Sequence, residues 1–203
     1  MKIFRKIFLL FLPVFVLVPM VSAAGQTKNN DSESGQIKQL LVQRDKEIKD
    51  LLGPKGKTYT SSQKDKLKKI INDIVDYNAM AKVALQKTYD TLSTAQKKEF
   101  VQVFSKIIRD QSLNKLDIYR AHIEYKKIAA NNDTAFVKTV AQLKDVRTPV
   151  SYRMKKENGK WYITDMIIDN VSTAKSYQKS FQAYLRKKGY KSLLAVLKKR
   201  ADR

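Results

Sequence analysis

The feature that most constrains the fold is a stretch from His122 to Ile168 in which apolar and polar residues alternate. Its segments HIEYKKIA, TAFVKTVAQL, PVSYRMKK and KWYITDMII predict four β-strands, because alternate side chains of a strand face opposite sides of a sheet. Asn158-Gly159 predicts a tight hairpin, since both residues tolerate a positive φ. Such short connections join antiparallel neighbours, so the sequence predicts a four-stranded antiparallel meander.

Helical periodicity flanks the predicted meander on both sides. Upstream, apolar stripes predict helices, of which the first ends at Gly53-Pro54 and the second has a stripe that runs from Leu67 to Val75. The last upstream helix begins at a capping box of Ser93 and Gln96. Downstream, a further helix is predicted to break at Gly189. Helices, a meander and helices again make the predicted fold class α+β.

Two consecutive segments at the start of the chain differ in composition from the rest of it. Residues 1–24 have the pattern of a signal peptide, with a basic start, an apolar run and the small-residue exit PMVSAA, which predicts export and cleavage near Ala23 or Ala24. Residues 25–35 lack apolar side chains and are predicted to be a disordered tail. The remaining residues, 36–203, are predicted to form a single domain.

The composition restricts the classes of partner and chemistry. A formal net charge of +22 favours a polyanionic partner, such as an anionic membrane surface or an acidic protein. Predicted export argues against nucleic acid as that partner. The chain has no cysteine, so disulfides and thiolate sites are impossible. No spacing typical of metal ligands and no glycine-rich phosphate loop is present, so neither a metal nor a cofactor is expected.

Two aspartates in the fourth predicted strand raise the question of catalysis. Asp165 and Asp169 are separated by roughly 13 Å along a regular strand, whereas paired catalytic carboxylates act at about 5–9.5 Å. Asp165 is therefore expected to tie a neighbouring loop or helix N-terminus to the sheet. Asp169 is expected to end the strand before Ser172 caps the next helix. An exported enzyme that uses His122 or Asp165 as a base is a weaker hypothesis.

Regular pairing about Asn158-Gly159 also predicts which side chains share a face. On the second strand the small residues Ala135, Val137, Thr139 and Ala141 leave room for an apolar cavity, although they are equally compatible with a tightly packed core. The third and fourth strands are expected to place Met154 opposite Ile163, Tyr152 opposite Asp165 and Val150 opposite Ile167. This face also holds Trp161 and is expected to lie under helices.

The segment GKWYITDMIIDNVSTAKSYQKSF resembles the MlaC-type periplasmic phospholipid-binding proteins, auxiliary components of MCE/ABC transport systems that are also associated with toluene tolerance. Matching positions are Gly159, Trp161, Ile163, Asp165, Asp169, Val171, Ser172, Tyr177 and Phe181. DYNAMAKVAL, LSTAQKKEFVQVF and TPVSYRMKK are also similar, so the resemblance covers Asp73 to Lys199. The chain departs from the family pattern at Gln86 and Asn170, which replace glycines, at Gln178, which replaces an arginine, and at Tyr89, which replaces a tryptophan.

The resemblance implies a non-enzymatic carrier that holds the acyl tails of a phospholipid in an apolar pocket between sheet and helices. It implies exchange of lipid between an inner-membrane MCE-protein/ABC transporter and an outer-membrane lipoprotein-porin complex, which maintains outer-membrane lipid asymmetry. The tail-contacting residues expected on this reading are Met80, Val83, Phe104, Ile108, Val150, Tyr152, Met154, Ile163, Ile167, Tyr177 and Phe181. A basic adaptor without a lipid pocket and a hopanoid carrier are the alternatives.

Overall fold

An antiparallel sheet is the centre of the computed structural model, which describes residues 24–55, 59–113 and 116–202. Its strands are β1 (His122–Asn131), β2 (Thr134–Leu143), β3 (Val146–Glu157), β4 (Lys160–Ile168) and β5 (Val171–Ser172). They follow one another in the order β1-β2-β3-β4-β5, and each pairs antiparallel with the next. The predicted α+β class and meander are confirmed, with five strands instead of four because the chain turns back after β4.

Tight turns at positive φ produce this meander. Asn158 and Gly159 have φ values of 50° and 77°, which is the left-handed geometry that a two-residue hairpin requires. Asp169 and Asn170, at 49° and 64°, form the equivalent turn between β4 and β5. The amide of Asp169 donates to the carbonyl oxygen of Pro149 at 3.0 Å, so β4 ends there while still joined to β3.

A β-bulge in β4 changes the predicted pairing. Met154 lies opposite Ile163 as expected, but no residue of β3 lies opposite Thr164 in the ladder. Beyond the bulge the pairs are Arg153 with Asp165, Tyr152 with Met166, Ser151 with Ile167 and Val150 with Ile168. The predicted partners Asp165 for Tyr152 and Ile167 for Val150 are therefore wrong, because one extra residue moves every later side chain to the other face.

The first helix, α1 (Ala24–Leu52), starts earlier than predicted. Residues 25–35 are helical, so the prediction of a disordered tail is wrong. Glu33 forms an ion pair with Lys156 of β3 at 3.0 Å, and the hydroxyl of Ser34 donates to a carbonyl oxygen of β1 at 3.4 Å. These contacts hold this part of the helix on the sheet. The predicted signal peptide falls on residues that, up to position 23, lie outside the described residues.

The other helices are α2 (Ser61–Asn72), α3 (Tyr77–Leu85), α4 (Lys87–Thr91), α5 (Thr94–Leu113), a 3-10 helix (Leu116–Arg120) and α6 (Thr173–Ala201). The capping box at α5 is confirmed, since Ser93 N donates to Gln96 Oε1 at 2.9 Å and Gln96 N donates to Ser93 Oγ at 3.2 Å. Gly189, with a φ of 71°, bends α6 at the predicted break.

Helix α2 is shorter than its apolar stripe. It ends at Asn72, and Val75 forms a parallel bridge with Ile163 on the outer edge of β4. Ile163 N donates to Ile74 O at 2.7 Å, and Asp76 N donates to Ile163 O at 2.9 Å. The prediction of a helix through Val75 is wrong because these backbone groups pair with the strand edge instead of with the preceding helical turn.

The main core lies between α3, α5, α6 and part of the sheet. Phe104 packs edge-on against Tyr177 with ring centroids 4.9 Å apart, and Phe181 contacts both Phe100 and Phe104. All three phenylalanines are buried. Edge-to-face aromatic pairs of this kind stabilise a core beyond their buried area. Helix α6 is therefore part of a closed core.

The backbone at Gln86, between α3 and α4, has φ 51° and ψ −134°. A side chain disfavours this conformation, which costs about 1–3 kcal/mol, whereas glycine adopts it freely. We expect Gln86→Gly to raise the free energy of unfolding by about 1 kcal/mol, after the greater flexibility of glycine in the unfolded chain is included. Urea denaturation measures the change. Gln86→Ala is the control, since it retains Cβ; a glycine variant no more stable than the alanine variant would contradict the prediction.

Candidate functional site

A cavity of about 350 Å³ lies between one face of the sheet and the helices α1 and α2 with the 3-10 helix. Its volume is within the range of about 300–1,000 Å³ typical of small-molecule pockets. The lining is largely aliphatic. It consists of Leu41, Arg44, Asp45, Ile48, Ile70, Ile71, Ile74, Val75, Tyr77, Ile108, Arg109, Ile118, Tyr119, Ala121, Ile123, Tyr125, Ala141, Leu143, Val146, Thr148, Val150, Tyr152, Ile163, Met166 and Ile168.

The bulge in β4 determines which side chains of that strand reach the cavity. With regular pairing, Asp165 would stand beside Tyr152 on the cavity face. The extra residue, Thr164, instead places Met166 beside Tyr152 and Ile168 beside Val150. Met166 and Ile168 thereby take the places on this wall that regular pairing would give to Asp165 and Ile167. The bulge thus keeps a charge that would be costly to desolvate out of an apolar cavity.

The cavity opens at the end of the sheet that carries the β2–β3 turn. Val146 follows that turn, Ile168 ends β4, and Ile118 belongs to the 3-10 helix that precedes β1. All three line the cavity, yet 65%, 45% and 48% of their respective surfaces are exposed. Apolar side chains that line a cavity and also reach solvent mark its mouth. Other lining residues, such as Leu41 and Ile163, are buried.

The charged groups of the lining lie on α1 and α5. Arg44 pairs with Glu47 at 2.7 Å, and Asp45 pairs with Lys49 at 2.7 Å, each within α1. On α5, Arg109 donates to the side-chain oxygen of Asn72 at 3.0 Å. These pairs leave the charged groups with partners inside the protein. Arg44 and Asp45 are thus compensated by opposite charges within α1, whereas Arg109 is held by a neutral amide.

Tyr152 and Tyr125 contribute hydroxyl groups to the same wall. Burial raises the pKa of Tyr152 to about 12, and the nearby charge of Asp45 adds to the shift. Burial, followed by the neighbouring Tyr152 and by Asp45, raises the pKa of Tyr125 as well. Both side chains are therefore neutral at physiological pH. The cavity offers hydroxyl groups for hydrogen bonds but no phenolate to act as a base.

Only some of the residues expected to contact lipid tails line this cavity. Ile108, Val150, Tyr152 and Ile163 do so. They come from α5, β3 and β4, and the fold brings them together although they are distant in sequence. Three of the four, Val150, Tyr152 and Ile163, come from the sheet face that pairing about the Asn158-Gly159 hairpin predicted.

The other expected tail-contacting residues lie elsewhere. Met80, Phe104, Met154 and Phe181 are buried in the main core, and Tyr177 packs against that core. Val83 is 40% exposed on α3. Ile167 pairs with Ser151 on the face of the sheet away from the cavity, as a consequence of the bulge. Because α5 and α6 close on each other through aromatic rings, α6 does not form the wall opposite the sheet.

Asp165 joins β4 to the start of α6. Its carboxylate accepts hydrogen bonds from Ser172 Oγ at 2.6 Å and from Ala174 N at 3.0 Å. Ser172 caps the same helix by accepting from Lys175 N at 3.1 Å. A carboxylate at a helix N-terminus satisfies free amides and complements the helix dipole. Asp165 is buried but does not line the cavity.

The proposed catalytic bases are not placed for chemistry in the cavity. His122 is exposed at the start of β1 and is absent from the lining, as is Asp165. Within residues 24–55, 59–113 and 116–202, no three Asp, Glu or His side chains cluster in a way that would hold a metal ion. In the same ranges, no helix combines the length and apolar content needed to cross a bilayer.

Sequence reasoning missed most of the wall opposite the sheet. The apolar stripes of α1 and α2 were visible, for example at Leu41, Ile48 and Ile71, but a stripe does not show whether it meets a core or a cavity. Ile118 and Val146 lay in segments without periodicity. Ala141 was the residue that indicated a cavity, because a small side chain on one face of a strand leaves space above it.

Comparisons with known proteins agree with the geometry. The family model for MlaC protein matches residues 44–199. No match was found among curated protein sequences. A solved structure described as the phospholipid-binding protein from Ralstonia solanacearum in complex with a phospholipid superposes with a TM-score of 0.70 at 17% identity, over 83% of this chain and 96% of that one. At that identity the superposition shows a shared fold. The family match covers most of the chain, which belongs to the MlaC family.

Proposed function

We propose that this protein binds the acyl tails of a phospholipid in the cavity and carries the lipid through the periplasm. The observation that carries the proposal is the largely aliphatic cavity with a mouth at one end of the sheet. Burial of each methylene group contributes about 0.8 kcal/mol, so tails alone supply enough affinity without a charged cradle. Membership of the MlaC family and the phospholipid in the Ralstonia solanacearum structure support the same ligand class.

The proposed partners in lipid transfer are those that the family implies. We propose that the partners are an inner-membrane MCE-protein/ABC transporter and an outer-membrane lipoprotein-porin complex, so that the protein contributes to outer-membrane lipid asymmetry. A single mouth suits such a role, because one opening serves both loading and release. The predicted signal peptide of residues 1–24 supports location in the periplasm. The cavity holds no pair of groups arranged for acid–base catalysis, which supports a carrier instead of an enzyme.

Lipid extraction from the purified full-length gene product tests the proposal. We expect mass spectrometry of the extract to find phospholipid at a fixed ratio to protein, and delipidated protein to take up labelled phospholipid from vesicles. Recovery of a hopanoid would change the proposed ligand but not the proposed binding cavity. If no lipid is recovered and none is taken up, while the protein still binds anionic vesicles in a salt-sensitive way, the basic adaptor is the correct alternative.

A further inference from the structure

Exposed aliphatic side chains concentrate at the mouth of the cavity. Among the described residues, seven large apolar side chains are exposed, and four of them, Ile118, Val146, Ile168 and Val171, belong to the same end of the sheet. The other three are scattered over three different helices. Single exposed aliphatic residues are ordinary, whereas a group at one place indicates a surface that contacts something apolar.

This group, which we call the rim, continues the wall of the cavity. Three of its members line the cavity, and the fourth, Val171, pairs with Ile168 and so shares the cavity face of the sheet. Paired residues of neighbouring strands point to the same side. Apolar side chains are therefore found both inside the cavity and on the outside of the protein at its mouth.

The charges around the rim are compatible with an anionic surface. Lys144 and Arg147 flank Val146, and Lys175 follows Val171 in the first turn of α6; all three are exposed. Asp145 and Asp169 lie in the two turns at this end, and Arg147 forms an ion pair with Glu124 at 2.8 Å, so these charges balance and the attraction depends on the charge of the whole chain. The whole chain carries a formal net charge of +22, which attracts it to an anionic surface over a distance of roughly a Debye length.

We propose that the rim enters the interfacial layer of an anionic phospholipid bilayer while lipid is loaded or released. This rests on the proposed function and adds the surface through which it operates. The net charge brings the protein to the bilayer, and the rim fixes the orientation with the mouth facing the lipid. An acyl tail then moves between bilayer and cavity along apolar surface, which avoids exposure of its methylene groups to water.

A bilayer suits the rim better than a protein surface does. Protein interfaces are centred on aromatic residues and arginines that fill pockets of the partner. The rim has four aliphatic side chains of similar size on separate elements and no aromatic anchor. Such a surface does not require a partner of complementary shape. A layer of fluid hydrocarbon chains meets that condition.

The test compares a rim variant with a matched control in the full-length protein. The rim variant is Val171→Asp, because Val171 is the member of the rim that does not line the cavity. The control is Val196→Asp, which introduces the same charge at an exposed valine on α6 away from the rim. Binding is measured by flotation with vesicles of phosphatidylglycerol and phosphatidylcholine in equal parts. We expect the rim variant to bind and to exchange lipid between vesicles at least about tenfold less well than the control.

The lipid content of each variant separates this proposal from the proposed function. The Val171→Asp variant should retain the phospholipid found in the parent protein, and should have its melting temperature, because this side chain is exposed and does not line the cavity. Binding and exchange equal to those of the control, in vesicles free of any partner protein, would overturn the proposal and leave the rim to a protein partner. Absence of lipid from every variant and from the parent would instead contradict the proposed function.

Discussion

Val150→Trp is expected to lower phospholipid uptake by at least tenfold without unfolding the protein. Val150 lines the cavity next to Ile168, and an indole in its place occupies volume that acyl methylenes would fill. Exclusion of only two methylene groups costs about 1.6 kcal/mol of binding free energy, which exceeds the 1.4 kcal/mol that corresponds to a factor of ten. Titration of delipidated protein with a fluorescent phospholipid measures the change in Kd.

Ser151→Trp is the matched control for this prediction. Ser151 is the next residue in β3, and its side chain points to the opposite face of the sheet, where it pairs with Lys138 on one side and Ile167 on the other. The control adds the same bulk to the same strand without entering the cavity. We expect it to retain uptake. Equal uptake by the two variants would show that the tails do not pass Val150 and would move the binding site elsewhere.

Asp165→Ala is expected to have the largest effect on stability, a loss of about 2–4 kcal/mol in the free energy of unfolding. The substitution removes the acceptor for Ser172 Oγ and Ala174 N in a buried place. Each hydrogen bond to a charged group contributes about 1.5–3 kcal/mol, and a buried donor without a partner costs a similar amount. The start of α6 also loses the carboxylate that complements its helix dipole.

Urea denaturation with a graded set of variants tests this assignment. Asp165→Asn should be less damaging than Asp165→Ala, because its amide oxygen still accepts one of the two hydrogen bonds. Asp169→Asn removes one negative charge nearby, and asparagine suits the positive φ at that turn, so we expect little change. Equal losses for the Asp165 and Asp169 variants would indicate that net charge matters and not the link to α6.

The same variants distinguish a structural role of Asp165 from a direct role in the binding site. Because Asp165 does not line the cavity, Asp165→Asn should bind phospholipid as the parent does at a temperature where both are folded. Loss of lipid binding by a fully folded variant would assign a direct role to this carboxylate. The distinction matters because a buried aspartate on an apolar strand is also the pattern that an active site would give.

Local sequence patterns were sufficient for four of the five strands, for the Asn158-Gly159 turn and for the start of α5. Asn158-Gly159 predicted a hairpin because a positive φ at two successive residues is a property of those residues themselves. Ser93 with Gln96 predicted a helix start for the same reason: donors and acceptors lie within three residues. The segment from Trp161 to Phe181 carried the family resemblance. Each of these features depends on neighbours in the chain and is therefore readable without the fold.

The cavity depended on features that no local pattern records. The bulge at Thr164 decided that Met166 and Ile168 face Tyr152 and Val150, because an extra residue can be recognised only when the partner strand is in place. The edge of β4 similarly ended α2 early by pairing with Val75. Apolar periodicity in α1, α2 and α6 looked alike in the sequence. Only the packing decided that α6 closes the core while α1 and α2 leave a cavity.

The sequence by itself therefore determined most of the elements, their order and the family. The tertiary structure decided which apolar faces touch each other and which remain apart, and so where the cavity and its mouth lie. The physical reason is that burial of apolar surface is non-directional: it requires each stripe to be covered but does not specify by what. Strand register and helix packing supply that choice, and both are set by contacts between residues far apart in the chain.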